Sequence, residues 1–298
     1  MVALENIALA VISGIANGML LFLAAVGLTL IFGVLGVLNF AHGSLYMLGA
    51  YFTFFLVGGD GLLASVPGGF WLAIIVAPIL VALVGGVLER FIIRPIYERD
   101  HVFQLLLTFA LVLVIDNGAR IVWGTDFRSV NVPAALDFQV SLFGSGYPFY
   151  NIFLIGLGAV VAMVLWLLFE RTRLGKTVRA ASQDRSIANA LGVNVPLLFT
   201  GTFLLGSLLA GIGGVLAAPY QTIQPTMGES IIIDSFIVVV IGGLGSFAGA
   251  LVGALAIGIV NSLAFLFAPN LQPVIPFVLM ALVILTKPSG LLEQEVSA

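Results

Sequence analysis

The chain has 298 residues, of which 61% are hydrophobic and only 8% charged, and it carries a formal net charge of −3 and no cysteine. Soluble domains hold about 25% charged residues, so this composition excludes an ordinary water-soluble domain and predicts an all-α polytopic membrane protein. The lack of cysteine excludes disulfides and thiolate metal sites, and the small net charge argues against a nucleic-acid partner.

Apolar stretches recur at about the 20-residue length that crosses roughly 30 Å of hydrocarbon. About eight transmembrane helices are predicted, near residues 7–33, 41–57, 70–88, 104–122, 150–169, 198–218, 247–267 and 271–286. The segment near 231–246 is too short to cross as an ordinary helix, so we expect a half-helix or a broken span there. No linker separates a second domain, and residues 1–298 are expected to form a single transmembrane domain.

The segment 33–51 places Asn39, His42 and Ser44 between two apolar stretches. Irregular polar backbone is tolerated at membrane depth only where it faces protein or a water-filled cavity. The segment therefore predicts a helix break beside a translocation path, with these three side chains as candidate pathway residues. A solvent-wetted turn on the cytoplasmic side is an equally favoured interpretation.

Three ionisable residues fall inside or at the edge of apolar stretches. Asp116 and Arg120 are four residues apart on one helix, a spacing that favours a structural ion pair. Asp234 is a candidate pathway residue, because a carboxylate at the centre of a span costs roughly 2.5–3.5 kcal/mol unless it faces a cavity or a partner. Between these two regions, the segment 123–149 holds prolines and glycines and predicts a partly ordered external cap loop, with a mere connector as the alternative.

The loop 170–197 contains the one strongly polar segment, Arg171 to Val195, with five of the eleven basic residues of the chain. Its position between two spans predicts a cytoplasmic surface that a soluble partner touches. Gly175-Lys176-Thr177 resembles the end of a phosphate-binding loop, but Glu170 stands where that motif needs a glycine. No catalytic motif and no metal site is recognisable, so neither enzymatic activity nor a cofactor is expected.

The half-helix ends at a glycine-rich junction, where Gly243 and Ser246 are further candidate pathway residues. Gly245, Gly249 and Gly253 follow at four-residue spacing and predict a helix face on which a second helix packs closely.

The basic residues lie almost entirely in alternate loops. Nine of the eleven are expected on one side, and they are Arg90, Arg94, Arg99, Arg171, Arg173, Lys176, Arg179, Arg185 and Lys287. Because Lys and Arg near span ends are retained in the cytoplasm, these loops and the C-terminus are expected to be cytoplasmic. Alternation then places the N-terminus outside, with Glu5 as thin support.

Three blocks of the sequence resemble the membrane permease subunits of ABC importers for branched-chain amino acids, of the LivH type. They are residues 27–51, 181–195 and 238–260, and the likeness runs from about residue 10 to 292. The resemblance implies a multi-pass subunit of a bacterial-type cytoplasmic membrane that forms half of a pathway for branched-chain amino acids. The partners implied are a second, LivM-like permease, two ATP-binding cassette subunits that hydrolyse ATP, and an extracytoplasmic solute-binding protein.

The resemblance also gives a role to the polar segment. A short helix from Ser182 to Leu191, followed by Gly192, is expected to dock into a cleft of the ATP-binding subunit, with Ala188 and Leu191 on that helix. Arg179, Asp184 and Arg185 are expected to add polar contacts. The importer pattern E-A-A-x-x-x-G is met as Ser186-Ile187-Ala188 with Gly192, without its acidic residue.

Two departures from the family bear on the solute. Family members often carry an acidic residue where this chain has Ser44, and a basic one where it has Asp234. A different small solute, such as a sugar, an amide or a urea-like molecule, therefore stays open, and so does a secondary carrier that acts alone. Such a carrier normally needs buried carboxylates for its coupling ion.

Overall fold

A computed structural model describes residues 4–292, and this part of the chain forms eleven α-helices, one β-hairpin and three short turns of π or 3-10 helix at Glu89–Ile93, Arg94–Ile96 and Pro269–Leu271. The helices are α1 (Leu4–Leu35), α2 (Ala41–Val57), α3 (Gly69–Leu88), α4 (His101–Trp123), α5 (Phe149–Arg171), α6 (Arg173–Gln183), α7 (Arg185–Ala190), α8 (Val195–Ala217), α9 (Met227–Gly242), α10 (Phe247–Phe267) and α11 (Ile275–Thr286). The hairpin pairs β1 (Gln139–Leu142) with β2 (Ser145–Pro148).

Six helices are long and apolar enough to cross a membrane, namely α1, α3, α4, α5, α8 and α10. The apolar helices α2 and α11 have only 17 and 12 residues, and α9 has 16. The prediction of an all-α polytopic membrane protein is therefore confirmed. The count of about eight spans stays a prediction, because three of the helices are shorter than an ordinary span.

The two ends of the helix bundle are identified by contacts at the two ends of α1. Near its start, the Ser13 and Tyr147 hydroxyls lie 3.0 Å apart, which places this end of α1 against the β-hairpin. At its last residue, the Leu35 carbonyl accepts a hydrogen bond of 2.7 Å from the Arg185 guanidinium. We call these the hairpin end and the basic end.

α1 and α10 form the central pair of the bundle and run antiparallel. A Cβ built on Gly14 would lie 2.6 Å from the Cα of Ile259, and one built on Gly18 would lie 2.9 Å from the Ala254 carbonyl oxygen. Glycine in these positions lets the two backbones approach closely, as small residues do in membrane interfaces. Every residue of α1 from Gly18 to Ile31 is buried.

The break between α1 and α2 folds back into the bundle instead of leaving it. Gly36, with a φ of +71°, follows α1, and residues 37–40 lead to α2, which starts at Ala41. The His42 Nε2 then lies 3.0 Å from the carbonyl oxygen of Ala24, a residue eleven positions before the end of α1. At 1.5 Å per helical residue, the start of α2 lies about 16 Å inside the basic end.

The segment between α4 and α5 is ordered around the hairpin. Phe143, with a φ of +52°, and Gly144 form its turn. Before the hairpin, Arg128 and Ile223 exchange two backbone hydrogen bonds of 3.0 and 2.8 Å. These bonds tie the segment to the connection between α8 and α9.

Candidate functional site

The polar residues predicted at the break are enclosed by protein. Asn39, His42 and Ser44 are each 1% exposed. The Ser44 hydroxyl donates a 2.7 Å hydrogen bond to Oδ1 of Asp116 on α4, which is also buried. The break is therefore not a solvent-wetted turn, because its polar side chains lie at depth between helices.

The pairing of Asp116 corrects one expectation. Three ion pairs form among residues 4–292, and none of them joins Asp116 to Arg120. Arg120 is exposed on α4, whereas Asp116 turns inward to Ser44. Helical spacing predicted the same face for the two side chains, but the polar partner on α2 lies closer to the carboxylate.

Several buried polar atoms around α2 have no protein hydrogen-bond partner within residues 4–292. They are both amide atoms of Asn39, Nδ1 of His42, the Tyr51 hydroxyl, Oδ2 of Asp116 and the Ser235 hydroxyl. An unpaired buried polar atom costs about 1–3 kcal/mol. A concentration of such atoms on facing surfaces of α2, α4 and α9 is unfavourable for pure packing and is suited to water or to a polar solute.

α9 covers the other side of the break. A Cβ on Gly228 would lie 2.9 Å from the carbonyl oxygen of Gly43, and the Phe40 and Phe236 rings stack at 6.4 Å. Residues 39–44 thus face the first half of α9, whereas its glycine-rich end meets α1, with a Cβ on Gly33 falling 2.8 Å from the Cα of Gly245. The break and the junction border the same helix, about two to four turns apart.

The junction itself is built for a sharp turn. Gly243 and Gly245 have φ values of +101° and +85°, in the left-handed region that favours glycine. The Ser246 hydroxyl accepts a 3.1 Å hydrogen bond from the Gly249 amide and so caps α10. Asp234, on the preceding helix, is half-buried at the edge of the packed face of α9, beside the exposed Ile233.

The helix face formed by Gly249 and Gly253 packs against α9. A Cβ on Gly249 would fall on the Gly242 carbonyl oxygen, and one on Gly253 would lie 3.0 Å from the Val238 carbonyl oxygen. The adjacent face of α10 packs against α1. Both α1 and α9 therefore approach α10 closely, without side chains between the backbones.

The polar segment forms two helices where one was expected. α6 begins at a cap from Thr172, and α7 begins at Asp184, whose carboxylate accepts a 2.9 Å hydrogen bond from the Ile187 amide. α7 ends at Gly192, with a φ of +86°, where the Gly192 and Val193 amides each donate a 3.0 Å bond to carbonyls of the last turn. This is a Schellman cap, so α7 is fixed at both ends.

Side-chain directions on α7 revise the expected contact surface. Ala188 is only 3% exposed and packs into the core, whereas Ile187 and Leu191 are 59% and 78% exposed. The latter two are four residues apart and therefore project from one side of the helix. Arg179 forms an exposed 2.8 Å ion pair with Glu170. The Asp184 carboxylate accepts the hydrogen bond that caps α7.

A buried polar network at the basic end was missed by the sequence analysis. Glu89 is 0% exposed, and both its oxygens accept 3.0 Å hydrogen bonds from Arg94, whose guanidinium also donates to the Thr200 hydroxyl on α8. The Tyr97 hydroxyl donates a 2.8 Å bond to the same carboxylate. Burial, with Glu89 as a second cause, raises the pKa of Tyr97 and keeps this hydroxyl protonated as a donor.

Two open cavities lie at the basic end. One, of about 550 Å³, separates the end of α3 from α7 and α8 and is lined by Arg94, Glu98, Arg185 and Phe199 among others. The other, of about 480 Å³, lies between α1, α5, α6 and the α9–α10 junction, and Ser246 contributes to its wall. Both border the α6–α7 segment, which is anchored to the bundle between them by the buried Val178, Ala181 and Ala188.

Comparison with known proteins gives a consistent match. A family model described as the permease component of the branched-chain amino acid transport system matches residues 10–285. The high-affinity branched-chain amino acid transport system permease protein LivH of Salmonella typhimurium is 29% identical over 296 residues, which cover 94% of this chain and 93% of that protein.

Two further relatives differ in how much they cover. The probable branched-chain amino acid transport permease protein LivH of Methanocaldococcus jannaschii is 32% identical over 255 residues, or 82% of this chain and 76% of that protein. The fructose import permease protein FrcC of Rhizobium meliloti is also 32% identical, but over 130 residues that cover 40% of this chain and 36% of that protein.

Proposed function

We infer that this chain, which belongs to the family of branched-chain amino acid transport system permeases, is the membrane subunit that forms half of an ABC importer pathway for these amino acids. The observation that carries this conclusion is the family match over residues 10–285, together with a LivH relative that aligns with 94% of the chain. ATP hydrolysis belongs to partner subunits, and this chain supplies passage.

The orientation proposed is that the basic end faces the cytoplasm. The loops with nine of the eleven basic residues lie at this end. Positively charged residues near the ends of spans favour the cytoplasmic side of the membrane. Residues 290–292 lie at the same end, where the Leu291 amide donates a 2.9 Å bond to the Ile241 carbonyl. The external cap would then be the 123–149 segment with its β-hairpin.

Docking of an ATP-binding subunit is proposed on α7. The exposed Ile187 and Leu191 form an apolar projection on a short helix capped at both ends, and this arrangement suits insertion into a cleft of another protein. The caps at Asp184 and Gly192 keep α7 helical when the docked partner pushes or pulls on it. Ala188 packs into the core, Asp184 caps α7, and Arg179 is paired with Glu170, so the contact with the partner is proposed at Ile187 and Leu191.

The solute pathway is proposed along the surface shared by α2, α4 and α9. The unpartnered polar atoms of Asn39, His42 and Asp116 offer hydrogen bonds to a zwitterionic amino group and carboxylate, and Phe40 with Phe236 offers an apolar surface to an aliphatic side chain. A second, LivM-like permease would complete the wall that this chain leaves open, and an extracytoplasmic solute-binding protein would deliver the amino acid.

The two alternatives have weaker support. The fructose permease relative covers only 40% of the chain, less than half of what the LivH relative covers. A stand-alone carrier would need buried carboxylates for its coupling ion. Among residues 4–292, Glu89 is paired with Arg94, Asp234 is only half-buried, and one oxygen of Asp116 is bonded to Ser44.

The test is uptake of radiolabelled leucine by proteoliposomes that hold the assembled transporter and its binding protein. We expect uptake only with ATP on the side of the basic end, and Leu191→Asp should lower uptake at least tenfold because it places a charge in the docking cleft. Leu191→Met keeps the apolar volume and serves as the matched control. Ion-driven uptake without ATP-binding subunits, or uptake of sugar in place of leucine, would reject the proposal.

A further inference from the structure

We propose that Arg185 is a positioning residue that carries movement of α7 to the break between α1 and α2. The inference rests on the proposed function, since it concerns how docking at α7 reaches the pathway. Arg185 was expected to contact the ATP-binding partner; the residue is exposed, but its guanidinium donates to the Leu35 carbonyl, 150 positions away in sequence.

The guanidinium is held from two sides. It donates a 2.7 Å hydrogen bond to the last carbonyl of α1, and its central carbon lies 4.9 Å from the centre of the Phe199 ring on α8. Tyr97 packs edge-on against the same ring, at 5.8 Å between centroids, and Tyr97 in turn donates to the buried Glu89. Phe199 is thus buried and packed against a residue of the Glu89 network, and it forms the surface on which the Arg185 guanidinium rests.

The bond to Leu35 is strong for its position. The last carbonyls of a helix lack intrahelical donors, and a cation there is also favoured by the helix dipole. The last turn of α1 contains no basic residue of its own, so Arg185 of α7 supplies this charge. A planar guanidinium also stacks on an aromatic ring while it donates, which an ammonium group does less well.

The chain beyond Leu35 is short and leads directly to the pathway. Five residues connect α1 to α2, and the carbonyl of Leu38 within them accepts a 3.2 Å bond from the Thr108 hydroxyl on α4. Asn39, His42 and Ser44 follow at once. A shift of α7 that pulls on the Leu35 carbonyl therefore acts on the segment that positions the unpartnered polar atoms.

The cations Arg171, at the end of α5, and Lys176 and Arg179, on α6, do not share this geometry. Arg179 pairs with Glu170 on the exposed surface, and the Arg171 guanidinium lies 5.4 Å over the Trp166 ring within its own helix. Lys176 is exposed on α6. Arg185 is also the first residue of α7, directly after the Asp184 cap. A rotation of α7 therefore moves the Arg185 side chain directly.

The experiment compares Arg185→Ala and Arg185→Lys with Lys176→Ala as the exposed-cation control, all in the assembled transporter. ATPase activity stimulated by the binding protein and leucine uptake are measured in the same proteoliposomes. We expect Arg185→Ala to keep stimulated ATPase within twofold and to lower leucine transported per ATP at least fivefold, with Arg185→Lys intermediate and Lys176→Ala unchanged.

A second readout reports on the break itself. The natural chain has no cysteine, so Leu38→Cys gives a single thiol whose labelling rate should change between ATP and nucleotide-free states. We expect Arg185→Ala to remove that change. An unaltered transport-to-ATP ratio, or labelling that still follows nucleotide, would overturn the inference. If Arg185→Ala fails to assemble, Arg185→Lys carries the same two measurements, and absence of ATP-dependent uptake in the unaltered protein would reject the proposed function instead.

Discussion

Single polar side chains in this protein find partners far away in sequence. Ser44 bonds to Asp116, and Arg185 bonds to Leu35, across 72 and 150 positions. Local spacing predicted that Asp116 would face Arg120, which was the wrong partner. The sequence therefore identified which polar residues are unusual, but the partner of each depends on helix packing that no local pattern contains.

The sequence gives no sign that Glu89 is buried, because this residue stands at the end of an apolar helix beside a basic loop. Breaking a buried ion pair by removing one partner costs about 3–5 kcal/mol, whereas an exposed pair contributes about 0–1 kcal/mol. We expect Glu89→Ala to lower the thermal unfolding midpoint of the purified protein by several degrees.

Glu170→Ala, which removes the exposed partner of Arg179, is the matched control and should leave the midpoint nearly unchanged. Equal midpoints for the two variants would show that the network of Glu89, Arg94 and Tyr97 does not anchor the end of α3.

Helices with a continuous apolar pattern were predicted well, and those that depend on capping were not. α2 and α10 occupy residues 41–57 and 247–267, as expected. α11 starts at Ile275 rather than near 271, because a 3-10 turn at Pro269–Leu271 comes first. α7 starts at Arg185 rather than at Ser182, because Asp184 ends α6 and caps the next helix.

The close packing of α10 on α9 can be tested at Gly249. Overpacking typically costs about 1–3 kcal/mol, and a side chain at Gly249 meets a backbone carbonyl that has no room to move. We expect Gly249→Leu to reduce the yield of monodisperse protein in detergent by severalfold.

Gly156→Leu on α5 makes the same substitution where a built Cβ meets nothing within 4 Å. Its yield should match that of the unaltered protein, measured by size-exclusion chromatography. Similar losses in both variants would argue against close packing of α9 and α10 as the cause.

For the whole molecule, the distribution of basic residues predicts the orientation in the membrane, and the fold brings most of these residues to the basic end. Phe143 lies exposed at the tip of the hairpin, and Leu174 lies exposed on α6 at the opposite end. We expect Phe143→Cys to react with a membrane-impermeant maleimide in intact cells.

Leu174→Cys should react only after the cells are permeabilised, and the cysteine-free parent gives the background. The reverse labelling pattern would mean that the basic end faces outward, and the proposed docking of ATP-binding subunits would then fail.

The close pairing of α1 with α10 has a consequence for how the protein is made. Gly14 meets residues 258 and 259, so 244 positions of chain separate the two surfaces. At about 5–20 residues synthesised per second, the first helix waits roughly 10–50 s in the membrane before its main neighbour emerges. During that interval its glycine face is open to lipid or to the insertion machinery. A chain truncated before residue 247 therefore lacks the principal partner of its longest helix.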